Sequence, residues 1–243
     1  MKNITVTITE NVPLTENVFK AVLTGADAGV NVPGRFINIK LDGFFLRRPI
    51  SVCDSDENSV TVIYKVVGKG TKALSEMKVG EKADILSDLG NGYDTKLSGD
   101  KPLLIGGGVG TPPMYMLAKR LIAEGKKTTV ILGFNTKKEI FFEEEFKKTG
   151  AEVIIATADG SAGVKGFVTA AMKDVEYSYI YTCGPEPMLK AVYRAAKTSG
   201  QFSFEERMGC GFGACMGCSC KTVTGYKRIC KDGPVLCKEE ILW

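Results

Sequence analysis

The 243-residue chain contains no histidine and only one tryptophan. The missing histidine excludes most. Zinc sites built on imidazole, Rieske centres, haem held by a proximal histidine and serine–histidine–aspartate triads all require that side chain. Any chemistry must run on cysteine, carboxylates, backbone dipoles or a bound cofactor. No apolar run approaches the length of a membrane span, and Met1-Lys2-Asn3-Ile4-Thr5-Val6 lacks the apolar core of a signal peptide. Charge of either sign is scarce in excess: 32 basic residues face 28 acidic ones, a net +4, with no basic run suited to nucleic acid. These absences lead to the expectation of a cytoplasmic protein that binds neither nucleic acid nor membrane.

Cysteine, by contrast, is abundant, with eight residues, six of them between Cys210 and Cys237. In a reducing compartment such residues are metal ligands or free thiols rather than disulfides. The length suits two compact domains and a small appendage, and 44% hydrophobic residues are ordinary for a globular chain.

Three textures follow one another along the chain. Segments 4–9, 18–23, 35–41, 59–67 and 82–86 alternate apolar and polar residues between Gly, Pro, Asn and Asp clusters, which predicts a small antiparallel β barrel over 1–98. One helix is expected inside it, at 71–77. Over 99–200 the apolar runs 103–105, 129–132, 153–155 and 179–181 alternate with helical segments at 113–124, 140–148, 167–173 and 187–198. That rhythm predicts an α/β domain with an open parallel sheet. The cysteine-rich tail, 201–243, is too short to bury a core of its own and reads as a third unit stapled by a metal centre.

Within the tail, Cys210, Cys215 and Cys218 are spaced C-x4-C-x2-C, and Cys230 follows after eleven intervening residues. The two short intervals are those of a plant-type [2Fe–2S] centre, and the surrounding glycines let backbone N–H groups approach cluster sulfurs. The alternative is a structural zinc site with four cysteine ligands, although zinc ribbons use two C-x2-C pairs and this tail has one. Cys220 and Cys237 leave the fourth ligand open.

Two glycine turns follow apolar runs. Gly106-Gly107-Gly108-Val109-Gly110-Thr111-Pro112-Pro113 opens one helix, and Cys183-Gly184-Pro185-Glu186-Pro187-Met188 opens another. Both would lie at the carboxyl ends of parallel strands, where backbone amides and helix starts bind anionic ligands. In the barrel half, Arg48-Pro49-Ile50-Ser51, Ile63-Tyr64-Lys65 and Gly70-Thr71 offer a guanidinium, a hydroxyl and helix-start amides, the groups that grip a pyrophosphate. Taken singly, each is as readily a solvated edge or an ordinary turn.

In combination these residues resemble the ferredoxin-reductase superfamily, in which Arg-x-[Tyr/Ile/Phe]-Ser on a barrel binds FAD and a glycine turn in the second domain binds NAD(P)H. Gly108-Val109-Gly110-Thr111-Pro112-Pro113 matches its G-x-G-x-x-P, and Cys183-Gly184-Pro185 its Cys-Gly-Pro turn near the nicotinamide. Glu206-Arg207-Met208-Gly209-Cys210-Gly211-Phe212-Gly213-Ala214-Cys215, with Cys230-Lys231-Asp232-Gly233-Pro234-Val235, narrows the likeness to the electron-transfer subunits of dihydroorotate dehydrogenase. Two departures stand out: the interval from Cys218 to Cys230 is short for that family, and Cys237 falls where it usually has another residue.

The resemblance implies that Arg48, Pro49, Ile50, Ser51, Ile63, Tyr64, Lys65, Gly70 and Thr71 contact FAD. It also implies that Gly108, Gly110, Cys183, Gly184 and Pro185 border NAD(H), and that Cys210, Cys215, Cys218 and Cys230 hold a [2Fe–2S] cluster. No residues suited to dihydroorotate oxidation are found, so the resemblance further implies an FMN-containing catalytic partner in a heterotetramer of two plus two. The small subunit of an electron-bifurcating ferredoxin–NADP reductase shares the same motifs and remains a rival, as does a zinc-stapled module without redox function. The segment Gly133-Phe134-Asn135-Thr136-Lys137-Lys138 lacks the arginine that often grips a 2′-phosphate, which favours NAD, with Lys137 or Lys138 as the substitute cation for NADP.

Overall fold

A computed structural model describes residues 1–243. Six antiparallel strands close a barrel: β1 (Lys2–Pro13), β2 (Val18–Thr24), β3 (Phe36–Ile39), β4 (Arg48–Ser55), β5 (Ser59–Lys65) and β6 (Lys82–Leu89). They are hydrogen-bonded in the order β1-β2-β5-β4-β3-β6. Alternation sets which face is buried. Val6 and Ile8, Ala21 and Leu23, Val60 and Val62, and Ala83 and Ile85 lie two apart on their strands and all enter the core. Closure leaves no exposed strand edge. Helix α1 (Lys69–Glu76) lays Leu74 into this core.

The second domain is laid out as β7 (Pro102–Gly107), α2 (Pro112–Ala123), β8 (Thr129–Phe134), α3 (Glu143–Lys148), β9 (Glu152–Thr157), β10 (Val164–Lys165), α4 (Val168–Ala171), β11 (Tyr179–Cys183), α5 (Glu186–Ala195) and β12 (Gly200–Ser203). The tail adds a hairpin, β13 (Ser219–Thr222) with β14 (Gly225–Arg228), and a last strand, β15 (Val235–Cys237). The sheet order is β10-β9-β8-β7-β11-β12-β15, with β15 the one antiparallel member.

The strands are apolar runs because both faces of the sheet are covered. Leu104, Val130 and Leu132 pack on one face with Met114, Leu117 and Leu121 of α2 and Phe146 of α3. Leu103, Ile105 and Ile131 pack on the other with Val168, Leu189, Val192 and Phe202.

Several expected elements are shorter than their sequence pattern. The segment 140–148 yields only α3, because Phe142 just before it takes a left-handed φ of 64° and interrupts the helix. The segment 187–198 ends at Ala195, where Ala196 turns extended. Strands β12, β13, β14 and β15 have no counterpart in the sequence reading. They are three or four residues long, too short for a period to show, and β12 is buried throughout. The expected boundary at 200/201 falls inside β12, and β15 joins the tail to the same sheet.

The three units are packed tightly. Helix α2 crosses β4, with Met116 reaching the barrel core and Lys119 Nζ 2.7 Å from the Asp54 carboxylate. The Tyr93 hydroxyl donates to the Thr182 carbonyl at 3.0 Å, and the Tyr181 hydroxyl to the Asp94 carbonyl at 2.8 Å. Asn91, just after β6, donates to the Val235 carbonyl at 2.7 Å and accepts from its amide at 3.1 Å. No helix is long and apolar enough to cross a membrane.

Leu74 is completely buried, so Leu74→Ala is expected to lower stability by about 2–5 kcal/mol through lost transfer energy plus a cavity. Urea unfolding checks this; a loss under about 0.5 kcal/mol, the scale of a surface change, would place α1 outside the core.

Candidate functional site

One cleft of about 1790 Å3 runs between the barrel, the carboxyl ends of the second domain's strands and the C-terminal tail. Arg48, Pro49, Ile50, Ser51, Ile63, Tyr64, Lys65 and Thr71 line it from the barrel. Gly108, Gly110, Cys183, Gly184 and Pro185 line it from the sheet. Gly70 stands just behind this wall, because the Arg48 guanidinium occupies the space a β-carbon on residue 70 would need.

On the barrel side the sequence builds a cationic corner beside an apolar wall. Arg48 projects from β4, lies 4.7 Å over the Phe44 ring and donates to the Leu46 carbonyl. It sits against the first turn of α1, whose leading amides lack intrahelical acceptors. Thr71 Oγ1 accepts from the amides of Val67 and Gly68 at 3.0 and 3.3 Å and fixes that turn. Ile50 and Ile63 supply apolar surface, Ser51 a hydroxyl and Lys65 a second cation. This combination fits a flat apolar ring carrying an anionic tail. Tyr64 contributes differently: its hydroxyl donates to Asn11 Oδ1 at 2.8 Å, its ring stacks on Phe19, and burial pushes its phenol up.

On the sheet side two turns meet backbone to backbone. A β-carbon on Gly110 would overlap the Cys183 carbonyl and lie 2.6 Å from the Gly184 Cα, so no other residue fits at 110. The contact ties the start of α2 to the start of α5. Burial pushes the Cys183 thiol up to about 12; a Ser203 hydrogen bond opposes the rise and the Glu205 charge adds to it. Cys183 is therefore a neutral thiol at pH 7.

Ser203 and Glu205 were not singled out in the sequence, yet both line the cleft, as do Phe204, Arg207 and Trp243. Trp243 packs against Tyr193, Phe202 and Phe204 with ring centroids 5.2 to 5.9 Å apart. The signal for this wall was the position of β12 beside β11, which a four-residue strand does not reveal in a sequence. Beyond β8, Asn135 and Glu139 border the cleft, and Glu139 accepts from the Asn135 amide and side chain at 3.2 and 2.9 Å. Lys137 and Lys138 are not among the lining residues.

The tail brings four thiols together as two pairs. Cys210 Sγ accepts amides from Phe212, Ala214 and Cys215 at 3.5, 3.2 and 3.4 Å, while Cys215 Sγ accepts from Cys210 and Gly217 at 3.4 and 3.5 Å. Cys218 Sγ accepts the Cys230 amide at 3.4 Å. No three acidic or sulfur ligands converge on a single-ion position. Burial would raise the Cys210 thiol, but the amides of Phe212, Cys215 and Ala214 outweigh it and bring it to about 6. Cys230 goes the other way, to about 12, through burial and the neighbouring Cys218 and Cys210. Arg228 holds the loop, pairing with Asp232 at 2.9 Å and donating to the Gly213 carbonyl at 2.9 Å. Cys237 lies instead on β15 opposite Gln201, and Cys220 on β13 at the cleft wall.

Residues 205–242 match the iron–sulfur cluster binding domain of dihydroorotate dehydrogenase B, and residues 104–194 match an oxidoreductase NAD-binding domain. The chain is 44% identical over 251 residues to the electron transfer subunit of dihydroorotate dehydrogenase B (NAD(+)) from Fusobacterium nucleatum, covering 97% of this chain and 96% of that one. It is 42% identical over 256 residues to the corresponding subunit from a Geobacillus species, covering 100% and 99%. Among solved structures, an NADH-dependent reduced ferredoxin–NADP oxidoreductase studied for flavin-based electron bifurcation superposes with a TM-score of 0.88 at 31% identity, over 98% of this chain and 90% of that one. The ferredoxin reductase of carbazole 1,9a-dioxygenase shares the fold, with a TM-score of 0.71 at 23% identity over 79% and 64%.

The opposed thiol environments set an order of reactivity. In the metal-free folded chain at pH 7, iodoacetamide is expected to alkylate Cys210 at least about tenfold faster than Cys183, because the thiolate is the nucleophile. Peptide mass spectrometry reads the order. Equal labelling of the two would contradict the environments described.

Proposed function

The chain belongs to the family of electron-transfer subunits of NAD-dependent dihydroorotate dehydrogenase B, and from that premise we propose that its cleft seats FAD beside NAD(H) while its tail seats a [2Fe–2S] cluster. It is an oxidoreductase subunit of pyrimidine biosynthesis, carrying electrons to NAD⁺. When bound, the flavin exchanges hydride with the nicotinamide and the cluster exchanges single electrons.

The protein's own groups supply binding, orientation and exclusion of water. Arg48, Lys65 and the first-turn amides of α1, backed by Gly70 and Thr71, neutralise the flavin pyrophosphate. Pro49, Ile50, Ile63 and the Tyr64 ring form the apolar wall, and Ser51 adds a hydroxyl. Gly108 and Gly110 bring backbone amides to the nicotinamide dinucleotide. Gly184 and Pro185 hold the facing turn, where the neutral Cys183 thiol and the Ser203 hydroxyl orient the ring without adding charge. Glu139 gives the far end of the cleft a negative charge, which suits NAD better than a 2′-phosphate.

The observation that carries this reading is the two-by-two pairing of the thiols. A [2Fe–2S] cluster would be held by Cys210 and Cys215 from one pair and Cys218 and Cys230 from the other, each pair tied by a backbone amide to a sulfur. A single tetrahedral zinc asks for four thiols around one point. Amides directed at Cys210, Cys215 and Cys218 complete the cradle by stabilising charge on sulfur.

An electron-transfer subunit works with a catalytic partner subunit. The partner proposed here is an FMN-containing barrel that oxidises dihydroorotate, assembled two plus two in the cytoplasm. The likeness to the bifurcating oxidoreductase structure favours a second reading, in which the partner is the large subunit of such an enzyme.

The test is a visible spectrum of the anaerobically purified chain, with and without NADH, beside iron and flavin analysis. Flavin bands over broad iron–sulfur absorbance, bleached by NADH, are expected; a colourless protein holding zinc would overturn the redox reading. Cys230→Ser is expected to abolish or shift the cluster spectrum and Cys237→Ser to leave it intact, and the reverse result would reassign the fourth ligand. NADH formation from dihydroorotate on mixing with the FMN partner, and none with the bifurcating partner, distinguishes the two assemblies.

A further inference from the structure

Asn38 is an anomaly in its strand. It sits in the otherwise apolar β3, Phe36-Ile37-Asn38-Ile39, and is 1% exposed. Its Nδ2 donates to the Cys210 carbonyl at 3.3 Å, and its Oδ1 finds no donor. Only the nitrogen end of the amide can donate to a carbonyl, so the orientation is fixed by chemistry. Leaving a buried acceptor unpaired is a cost that an apolar residue of the same size would avoid. Stability alone therefore does not account for an asparagine here.

Its surroundings indicate what does. Across the ladder Asn38 pairs directly with Pro49, the second residue of the Arg48–Ser51 segment that lines the flavin side of the cleft. On its other side Asn38 faces Gly211, which has φ +79° and no room for a β-carbon, because the Asn38 amide fills that space. Arg47 secures the strand from outside, donating to the backbone carbonyls of Asn38 and Asp84 at 3.4 and 3.1 Å and pairing with the Asp84 carboxylate. Cys210 is thus joined through one side-chain hydrogen bond to the strand neighbouring the flavin wall. Between Phe36 and Asn38 the β3–β6 register shifts, which leaves Asn38 beside Leu86 on its second flank.

We propose that Asn38 is a positioning residue for electron transfer: it sets the seat of the Cys210 loop against β3, the strand paired with the flavin-lining Arg48–Ser51 segment, and provides the hydrogen bond that ties that loop to β3. The proposal rests on the flavin and cluster assignments made above. Each transfer makes and breaks no bond: one electron leaves the donor centre and one arrives at the acceptor. The rate falls steeply with the gap between centres and is helped by bonded contact, so a loosened loop slows transfer while leaving nicotinamide chemistry untouched.

The experiment is anaerobic stopped-flow reduction of the holoprotein by NADH, following flavin and cluster bands separately, with cluster electron paramagnetic resonance as a second readout. Wild type is compared with Asn38→Leu and Asn38→Asp, both close in size. Flavin reduction is expected to stay within about twofold of wild type, and cluster reduction, normalised to loaded cluster, to slow by about tenfold or more in both variants. The cluster resonance of the loaded fraction is expected to remain. Wild-type cluster reduction in either variant overturns the proposal, as does equal slowing of flavin and cluster, or loss of the cluster from both. If the wild-type protein itself shows no flavin or no cluster bleaching, the functional reading fails first, a result distinct from failure of the variants.

Discussion

The pairing of β15 with β12 is the constraint on which the rest of the molecule depends. Three residues of the tail complete the edge of a seven-stranded sheet, and Phe202, Leu236, Ile229 and Ile241 share one core with Leu103 and Ile105. The cysteine loop between β12 and β15 is thereby held at both ends, while Asn91 fixes the return from the barrel side. A loop of this length has no core of its own, and its geometry is borrowed from the neighbours, among which Cys218 and Cys230 are buried. Remove the edge strand and the cleft loses the wall formed by Phe204, Glu205 and Trp243 as well.

In the absence of histidine, cysteine is asked to play opposite parts. Cys183 is enclosed by Tyr93, Ser203 and the two glycine turns, and burial keeps it protonated. Cys210 sits in a loop whose amides point at its sulfur, and those dipoles favour the anion. One residue type thus gives an uncharged wall in the cleft and an anionic sulfur in the tail. The environment makes the difference, through burial in one place and oriented N–H groups in the other.

How much of this was legible in the sequence depended on repetition and on spacing. The barrel could be read because β1, β2, β5 and β6 are seven or more residues long and tend to alternate, and the parallel sheet because Leu103 to Ile105 form an apolar run buried on both faces. Motifs at glycine turns led to the cleft, and of the residues expected to contact FAD or NAD(H) all but Gly70 line it. Strands of three or four residues carry no period, so β12 and β15 were invisible, and Ser203 and Glu205 were hidden with them. The helix over 140–148 was overread, since amphipathic spacing says nothing of a left-handed residue at 142. Asn38 was beyond reach for another reason: a lone polar residue in an apolar strand gains meaning only when residue 210 is placed beside it.

The late position of β15 also governs the order of events during synthesis. The last thiol of the paired set, Cys230, precedes the sheet-completing residues 235–237 in the chain. On the ribosome the barrel and the first six strands of the sheet can form while the tail is still in the exit tunnel. Cys230 reaches Cys218 only once the residues leading into that edge strand have emerged. The Cys218–Cys230 half of the thiol set is accordingly the later half to form in the order of synthesis, after the Cys210–Cys215 half.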